Sequence, residues 1–313
     1  MKTIIVAGTV NRELALLTEG LPTGTLHVVE KPLVAFSIAG IQAAVKSKIN
    51  IHSPDNTAVL INKLSPYLEW DVKLQAISYI VEEQSDEMLW IRDDLIYDID
   101  FSGLLAGLRN SENHCIAIFA DDMPVMFYKK CIPLILFKRV YDGEFESVYP
   151  EFKPNMSNLD YCHELLTSFE WQIMQLKDGQ IHEVDTPKNY HKHSMQLIRG
   201  EFTHIALEPH QEGSPLIKGW HNSIDESSQL QDRGYFGDCV YVHKDSQIKG
   251  EVIIGKGSYI DRCVDINNTI VMPGVYVGPY LDLNEAIVTG NEVIRVDSGV
   301  VIPINDNKFI ATL

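Results

Sequence analysis

The chain has 313 residues, which is enough for two ordinary domains or for one large domain with a sizeable core. Apolar residues make up 45% of the chain and charged residues 22%, a composition that excludes collagen-like, low-complexity and wholly disordered proteins. The net charge of −17 argues against nucleic acid and anionic membrane surfaces as partners, because both require a positive protein surface.

The cysteines are scattered and form no Cys-x-x-Cys pair, which favours reduced core thiols over a disulfide framework or a zinc site. The first residues contain only a short apolar run before polar residues, unlike a signal peptide. No stretch approaches the roughly 18 uninterrupted apolar residues of a membrane span. We therefore expect a cytoplasmic protein without a membrane span.

The first part of the chain alternates between strand and helix patterns. In chain order, the pattern predicts a strand over 3–7, a helix from residue 32, a strand over 49–51, a helix over 56–64, strands near 74–81 and 88–91, a helix over 102–108 and a strand over 115–119. Extended apolar segments between 123 and 154 indicate strands of a small antiparallel addition. Helices are predicted over 159–169 and 186–199, the second with Thr186 as N-cap and Pro187 at its first position. This alternation is typical of an α/β domain with a mostly parallel sheet.

From about residue 220 the pattern changes to a period of six. Aliphatic or aromatic residues recur in one register at Ile224, Leu230, Phe236, Val242, Ile248, Ile254, Ile260 and Ile266. The register slips once and resumes with Val271, Val277 and Leu283. A six-residue period predicts a left-handed parallel β-helix, in which each short strand places one side chain in the core and three hexapeptide repeats complete a coil. An ordinary antiparallel sheet with turns is the alternative.

The segment over 7–33, AGTVNRELALLTEGLPTGTLHVVEKPL, resembles the signature of the nucleotide-sugar pyrophosphorylases, or sugar-1-phosphate nucleotidyltransferases. Three later segments also resemble parts of that family: IRDDL at 91–95, VDTPKNY at 184–190 and the hexad segment at 268–278. The resemblance implies a doubly wound, Rossmann-like nucleotidyltransferase domain over 1–205, a linker over 206–219 and a left-handed β-helix over 220–313.

The resemblance also implies a chemistry, in which a sugar 1-phosphate attacks the α-phosphorus of a nucleoside triphosphate and releases pyrophosphate. The implied nucleotide-binding positions are Ala7, Gly8, Thr9 and Asn11. Thr9 and Asn11 stand where the family has glycines, Glu13 stands where it has an arginine, and Thr23 stands where it has a lysine. These differences remove backbone access to the phosphates and two cations. Arg12 is the remaining candidate for a catalytic cation, and its alternative role is that of a solvated loop charge.

Mg²⁺ is the cofactor that the resemblance implies. Asp94 occupies the first metal position, and Asp185 or Glu183 lies near the second. Residual Mg²⁺ binding and a pair of exposed acids at the end of a strand, Asp93 and Asp94, are equally consistent with this pattern.

The combined prediction is a degenerate, non-catalytic nucleotidyltransferase-like protein that serves as a binding or assembly partner in nucleotide-sugar or surface-polysaccharide biosynthesis. An active pyrophosphorylase with an altered phosphate loop is the alternative, and a nucleotide or nucleotide sugar would be the ligand of either. A hexapeptide acyltransferase that uses His243 as a general base is a minor alternative. Homo-oligomerisation through the β-helix, with a dimer favoured, is expected because the ends of a short coil stack need covering.

Overall fold

The structure is a computed structural model, and it describes residues 1–8, 11–53, 57–68, 74–77, 87–130, 149–177, 180–207, 216–230 and 233–313. Its contacts divide the chain into two compact units. The first unit comprises Met1–Leu26 and Lys31–Val184, and the second comprises His27–Glu30 and Asp185–Leu313. Within the described residues, no helix has both the length and the apolar character needed to cross a bilayer.

The elements that precede residue 184 follow the predicted alternation closely. The strands are β1 (Lys2–Val6), β2 (His27–Val28), β3 (Lys31–Pro32), β4 (Lys48–His52), β5 (Leu74–Ile77), β6 (Glu87–Arg92), β7 (Leu95–Tyr97), β8 (Cys115–Ala120), β9 (Met123–Lys130), β10 (Gln172–Gln175) and β11 (Ile181–Glu183). The helices are α1 (Ala15–Thr18), α2 (Leu33–Ala44), α3 (Thr57–Leu64), α4 (Phe101–Asn110) and α5 (Asn158–Ser168), with short 3₁₀ turns at Thr23–Thr25 and Ser65–Tyr67. The predicted strand near 74–81 and the antiparallel segment over 123–154 lie partly outside the described residues.

Seven of the described strands form the sheet of the first unit, in the order β10-β8-β9-β6-β1-β4-β5. Strand β1 is central and pairs in parallel with both β4 and β6. Strand β9 is antiparallel to both of its neighbours, so it lies inside the sheet rather than in a separate addition. One face of the sheet packs against α2, α3 and α4, and the other packs against α5. The mixed α/β class and the parallel core of the sheet are therefore confirmed.

The second unit contains α6 (Pro187–Arg199) and a series of short strands. These strands are β12 (Leu216–Lys218), β13 (Ser223–Ile224), β14 (Gln229–Leu230), β15 (Gly234–Phe236), β16 (Tyr241–Val242), β17 (Gln247–Lys249), β18 (Val252–Ile254), β19 (Tyr259–Ile260), β20 (Asp265–Asn267), β21 (Ile270–Val271), β22 (Val275–Val277), β23 (Asp282–Asn284), β24 (Ala286–Val288), β25 (Glu292–Arg295), β26 (Val301–Pro303) and β27 (Ile310–Thr312). Consecutive strands up to β24 enter three different sheets in turn, and each strand from β12 to β21 pairs in parallel with the third strand after it.

The step between paired strands follows the six-residue period. Tyr241 lies beside Tyr259, 18 residues later, and Tyr259 lies beside Tyr276, 17 residues later. The shorter step is the slip in register that the sequence shows. The repeat positions from Phe236 to Leu283 are buried in one cluster. This arrangement is compatible with a three-sided β-helix, and its left hand stays a prediction.

The last strands of the second unit run in the opposite sense. Strand β25 pairs antiparallel with β24, β26 pairs antiparallel with β25, and β27 pairs antiparallel with β22. The series of parallel strands therefore ends in antiparallel strands, which the sequence did not predict.

Helix α6 belongs to the second unit by its contacts. The hydroxyl of Tyr190 donates to the carbonyl of His27 at 2.7 Å, and the Nε2 of His191 lies 2.8 Å from the carbonyl oxygen of Asn268. Burial lowers the pKa of His191, although that hydrogen bond acts in the other direction. The compact units thus divide at Val184, ahead of α6, whereas the sequence favours a first domain that extends to 205. The predicted linker over 206–219 lies partly outside the described residues.

Candidate functional site

The candidate site lies where the central strands of the first unit end. Val6 of β1 faces Arg92 of β6 in a parallel pair, and the N–H of Asp93 donates to the carbonyl of Val6 at 3.1 Å. The segments that follow both strands therefore lie at the same edge of the sheet. In open α/β sheets this carboxyl edge is where ligands bind, and it carries most of the residues that the sequence selects.

Gly8 follows β1 and is closely covered by Asn158, the first residue of α5. A Cβ atom on Gly8 would lie 2.6 Å from the Oδ1 of Asn158 and 2.7 Å from its backbone nitrogen. Helix α5 is fixed at this point by a capping box, because Ser157 Oγ accepts from the N–H of Asp160 and the carboxylate of Asp160 accepts from the N–H of Ser157. The glycine thus permits close packing against a helix of the same unit.

Asp93 lies fully buried between two segments of the chain. Its Oδ2 accepts from the N–H of Gly24 at 2.9 Å, and its Oδ1 accepts from the Nδ2 of Asn158 at 2.6 Å. A Cβ atom on Gly24 would lie 2.7 Å from that carboxylate, so residue 24 is glycine for the same steric reason as residue 8. Burial, followed by the charge of Asp94, raises the pKa of Asp93 to about 7, although both hydrogen bonds lower it.

Arg92 is buried and makes a two-point ion pair with Asp94. Its Nε donates to Oδ1 at 3.0 Å and its Nη2 donates to Oδ2 at 2.9 Å, while Nη1 donates to the carbonyl of Pro124 at 3.3 Å. Glu183 lies 3.9 Å from the same guanidinium. Burial disfavours the charged arginine, but Asp94 outweighs burial and raises the pKa of Arg92. Both oxygens of Asp94 are thus already held by a cation.

The implied metal site does not fit this arrangement well. A carboxylate neutralised by Arg92 is a poor first ligand for Mg²⁺, since the metal would have to displace the arginine. Asp185 lies in the second unit, where it accepts from the Nδ2 of Asn189 at 2.7 Å at the start of α6. Over the described residues, no group of three or more histidine, cysteine, aspartate and glutamate side chains is arranged to hold a metal ion. The assignment of Asp94 and Asp185 to Mg²⁺ stays a prediction.

The loop after β1 carries the positions at which the sequence departs from the pyrophosphorylase signature. Arg12 and Glu13 are exposed, and the N–H of Glu13 donates to the Oδ1 of Asn11 at 2.9 Å. Thr23, at the position of the family's lysine, is buried in a 3₁₀ turn. Thr9 lies outside the described residues, and Ala7 is buried at the end of β1.

Sequence reasoning missed the partner of Gly8, and it gave Asp93 no role beyond that of an exposed acid. The structure corrects that point, because Asp93 is buried while its neighbour Asp94 makes the ion pair. The Ser157-x-x-Asp160 spacing is the one signal that could have placed the start of α5. Nothing in the sequence shows that this start meets Gly8.

His243, the candidate general base, lies in the second unit. It is half-buried, and its Nδ1 accepts from the N–H of Lys244 at 2.8 Å. An acyltransferase role for His243 stays a prediction.

No protein-family model matches the chain, and no curated protein matches it. Among solved structures, the chain is similar to a putative glucose-1-phosphate thymidylyltransferase from Bacillus anthracis, determined in complex with a sucrose. The sequence identity is 13%, the match covers 62% of this chain and 94% of the other, and the TM-score is 0.44.

Proposed function

We propose that this chain is a degenerate sugar-1-phosphate nucleotidyltransferase-like protein that binds or assembles, rather than catalyses, in nucleotide-sugar or surface-polysaccharide biosynthesis. One observation carries the proposal: the chain's own groups fill the carboxyl edge of β1 and β6. Asn158 covers Gly8, Asp93 is enclosed, and Arg92 neutralises Asp94. Space and charge that a transferred phosphoryl group would need are used for internal packing.

The loss of cations supports the same proposal. Phosphoryl transfer depends on positioning and on neutralising the charge that develops in the transition state. By analogy with oxyanion donors, each missing charge-assisted contact costs about 3 to 4 kcal/mol. Glu13 is exposed and acidic, and Thr23 is buried and uncharged. Two such losses are enough to remove most of the rate.

The alternative is an active pyrophosphorylase, and one observation favours it. Arg12 is exposed beside Glu13 in the loop, where a cation could meet a triphosphate. This alternative requires a register one residue away from the ungapped resemblance.

The proposal also covers the second unit, self-association and cellular location. We propose that the second unit is a left-handed β-helix, since its core positions follow hexapeptide repeats. The chain is taken to self-associate through that unit. A cytoplasmic location is kept because the scattered cysteines favour reduced thiols.

The decisive experiment measures pyrophosphate release by the unmodified protein with a panel of nucleoside triphosphates and sugar 1-phosphates, with and without Mg²⁺. We expect no release above background, while calorimetric titration reports whether a triphosphate or a nucleotide sugar binds at all. Robust Mg²⁺-dependent turnover would contradict the proposal. It would indicate that Arg12 or another cation neutralises the triphosphate in place of the missing arginine and lysine.

A variant that restores a positive charge to the loop after β1 tests whether the missing cation explains the proposed lack of activity. Glu13→Arg should tighten triphosphate binding by about tenfold or more, since a charge-assisted hydrogen bond contributes roughly 1.5 to 3 kcal/mol. It should not produce turnover, because Asn158 still covers Gly8. Glu112→Arg is the matched control, since Glu112 is also exposed in a loop of the first unit and the change in net charge is identical. Equal tightening by both variants would show a general effect of charge instead of a local phosphate contact.

A further inference from the structure

Strand β26 is the last strand of its sheet and is unusually apolar for an exposed edge. The sheet runs in the order β12-β15-β18-β21-β24-β25-β26. The exposed fractions of Val300, Val301 and Ile302 are 53%, 41% and 43%. An exposed apolar edge strand is a template for pairing with another strand, and proteins usually protect such edges with charge, with proline or by keeping the strand short. The stretch from 298 to 305, SGVVIPIN, carries no charge.

The hydrogen bonds to β25 show which backbone groups of this edge are available. The carbonyl of Val300 accepts from the N–H of Arg295 at 2.9 Å, and the N–H of Ile304 donates to the carbonyl of Asn291 at 2.7 Å. Since the direction of backbone groups alternates along a strand, the groups of Val301 and Pro303 point away from β25. Proline has no N–H, so Val301 supplies the one outward donor of β26.

We propose that β26 pairs antiparallel with β26 of a second copy of this chain, about a two-fold axis at Val301. The N–H of each Val301 then donates to the carbonyl of the other Val301, so this residue pair forms two hydrogen bonds. Pro303 lies opposite Gly299 of the second copy, whose N–H is already donated to the carbonyl of Arg295. Neither residue therefore loses a donor in this register.

The occupant is a second copy of this chain rather than an unrelated strand, for two reasons. A long foreign strand would need a continuing ladder of donors, and Pro303 interrupts that ladder after one residue. The uncharged edge is also a place where two chains of net charge −17 can approach each other without facing like charges directly. The nearby charges Arg295 and Asp297 pair with each other at 3.1 Å.

The two-fold arrangement also ends assembly at two chains. An isologous contact uses the same edge on both copies, so no second β26 edge remains. The opposite edge of the same sheet, β12, ends in Lys218, a residue type that discourages strand pairing at an edge. A closed dimer follows, and an open filament does not.

This inference rests on the proposed self-association but not on the fate of the phosphate site. The test is sedimentation equilibrium at micromolar concentration on the full chain and on Val301→Asp. We expect a dimer for the unmodified chain and a dissociation constant raised at least about tenfold for the variant, because two carboxylates would meet at the axis. Ile173→Asp is the matched control, since Ile173 is a 58%-exposed residue of the edge strand β10 in the first unit. It should leave the dimer unchanged.

A cysteine variant tests the register itself. Val301→Cys places two thiols opposite each other at the axis, so mild oxidation should yield a covalent dimer on a non-reducing gel. The unmodified chain, which has the exposed Cys239, is the control for background crosslinking. A monomeric unmodified chain would overturn both the self-association and this interface. A dimer that Val301→Asp leaves intact, and that Val301→Cys does not crosslink, would overturn the interface alone.

Discussion

At the scale of single residues, Asp93 is the group whose surroundings determine most about the candidate site. Its carboxylate is buried between Gly24 and Asn158, and the hydrogen bonds that it accepts from these two residues come from neutral donors. Within the described part of the chain, the Oδ1 of Asn158 is buried without a hydrogen-bond partner. A rotation of that amide by a half-turn would present Oδ1 to a protonated Asp93. The side-chain amide of Asn158 can therefore form a hydrogen bond with Asp93 in either protonation state of that carboxyl group.

The raised pKa of Asp93 predicts a pH dependence of stability. Between about pH 4 and about pH 7 the unfolded chain has lost this proton and the folded chain retains it, so the free energy of unfolding falls as the pH rises through that range. Asp93→Asn should remove this part of the decline, because the amide keeps the shape and does not titrate. Urea unfolding of both proteins at several pH values measures the effect.

The effect of Asp93 on stability must be distinguished from that of other carboxylates. Asp122→Asn serves as the control, because Asp122 is exposed in the turn between β8 and β9. The decline in the free energy of unfolding that Asp93 causes should remain in this variant, because Asp93 is unchanged. If Asp93→Asn also keeps the full decline, Asp93 is charged in the folded state and its enclosure is looser than the structure shows.

The sequence predicts individual residues only where a local rule applies. The cap of α6 is an example, because Thr186 Oγ1 accepts from the N–H of Asn189 and Pro187 begins the helix as expected. Contacts between distant segments follow no such rule. Asn158 reaches Asp93 across 65 residues, and no spacing in the sequence indicates this contact.

At the scale of elements, periodicity explains what could be predicted. Strands β1, β4, β6 and β8 were predicted because buried strands are continuous apolar runs. The core positions of the second unit were predicted because one apolar position recurs in each six-residue repeat, and these positions are buried in one cluster. The position of β9 inside the sheet could not be predicted, since its apolar pattern fits an edge strand, an inserted strand and a separate antiparallel addition equally well.

Substitution of a core repeat position tests the second unit. Ile254→Asp places a carboxylate at a fully buried position of the coil stack, which should cost several kcal/mol and unfold this unit. Thermal unfolding followed by circular dichroism measures the loss. Tyr241→Asp is the control, because Tyr241 is an exposed strand residue that stacks on Tyr259 and should cost only about 1 kcal/mol. An unchanged melting temperature for Ile254→Asp would exclude the repeat assignment.

At the scale of the whole molecule, the net charge of −17 acts on every association. It opposes triphosphate binding, and it opposes the approach of a second copy. The proposed interface at Val301 must overcome this repulsion without ion pairs of its own, because its edge carries no charge.

The charge predicts how the proposed dimer responds to salt. Raising the ionic strength from about 10 mM to about 150 mM shortens the Debye length from roughly 30 Å to roughly 8 Å, so the repulsion between two copies is screened. The dimer dissociation constant should therefore fall as sodium chloride is added, measured by sedimentation equilibrium. A dissociation constant that rises with salt would indicate that ion pairs, and not β26, hold the copies together.

The reversal of strand direction after β24 separates a repeating part of the second unit from a terminal part that does not repeat. Before β24 the parallel pairing recurs every three strands, at steps of 18 or 17 residues, so three consecutive strands form one repeating unit of this region. The antiparallel strands β27 and β25 occupy the outer edges of β22 and β24, where further parallel strands would otherwise pair, while β23 is the last strand of its sheet. Duplication or deletion of one repeating unit upstream would thus change the number of stacked strands. It would leave the sequence of β26 and its uncharged edge unaltered at the end of the unit.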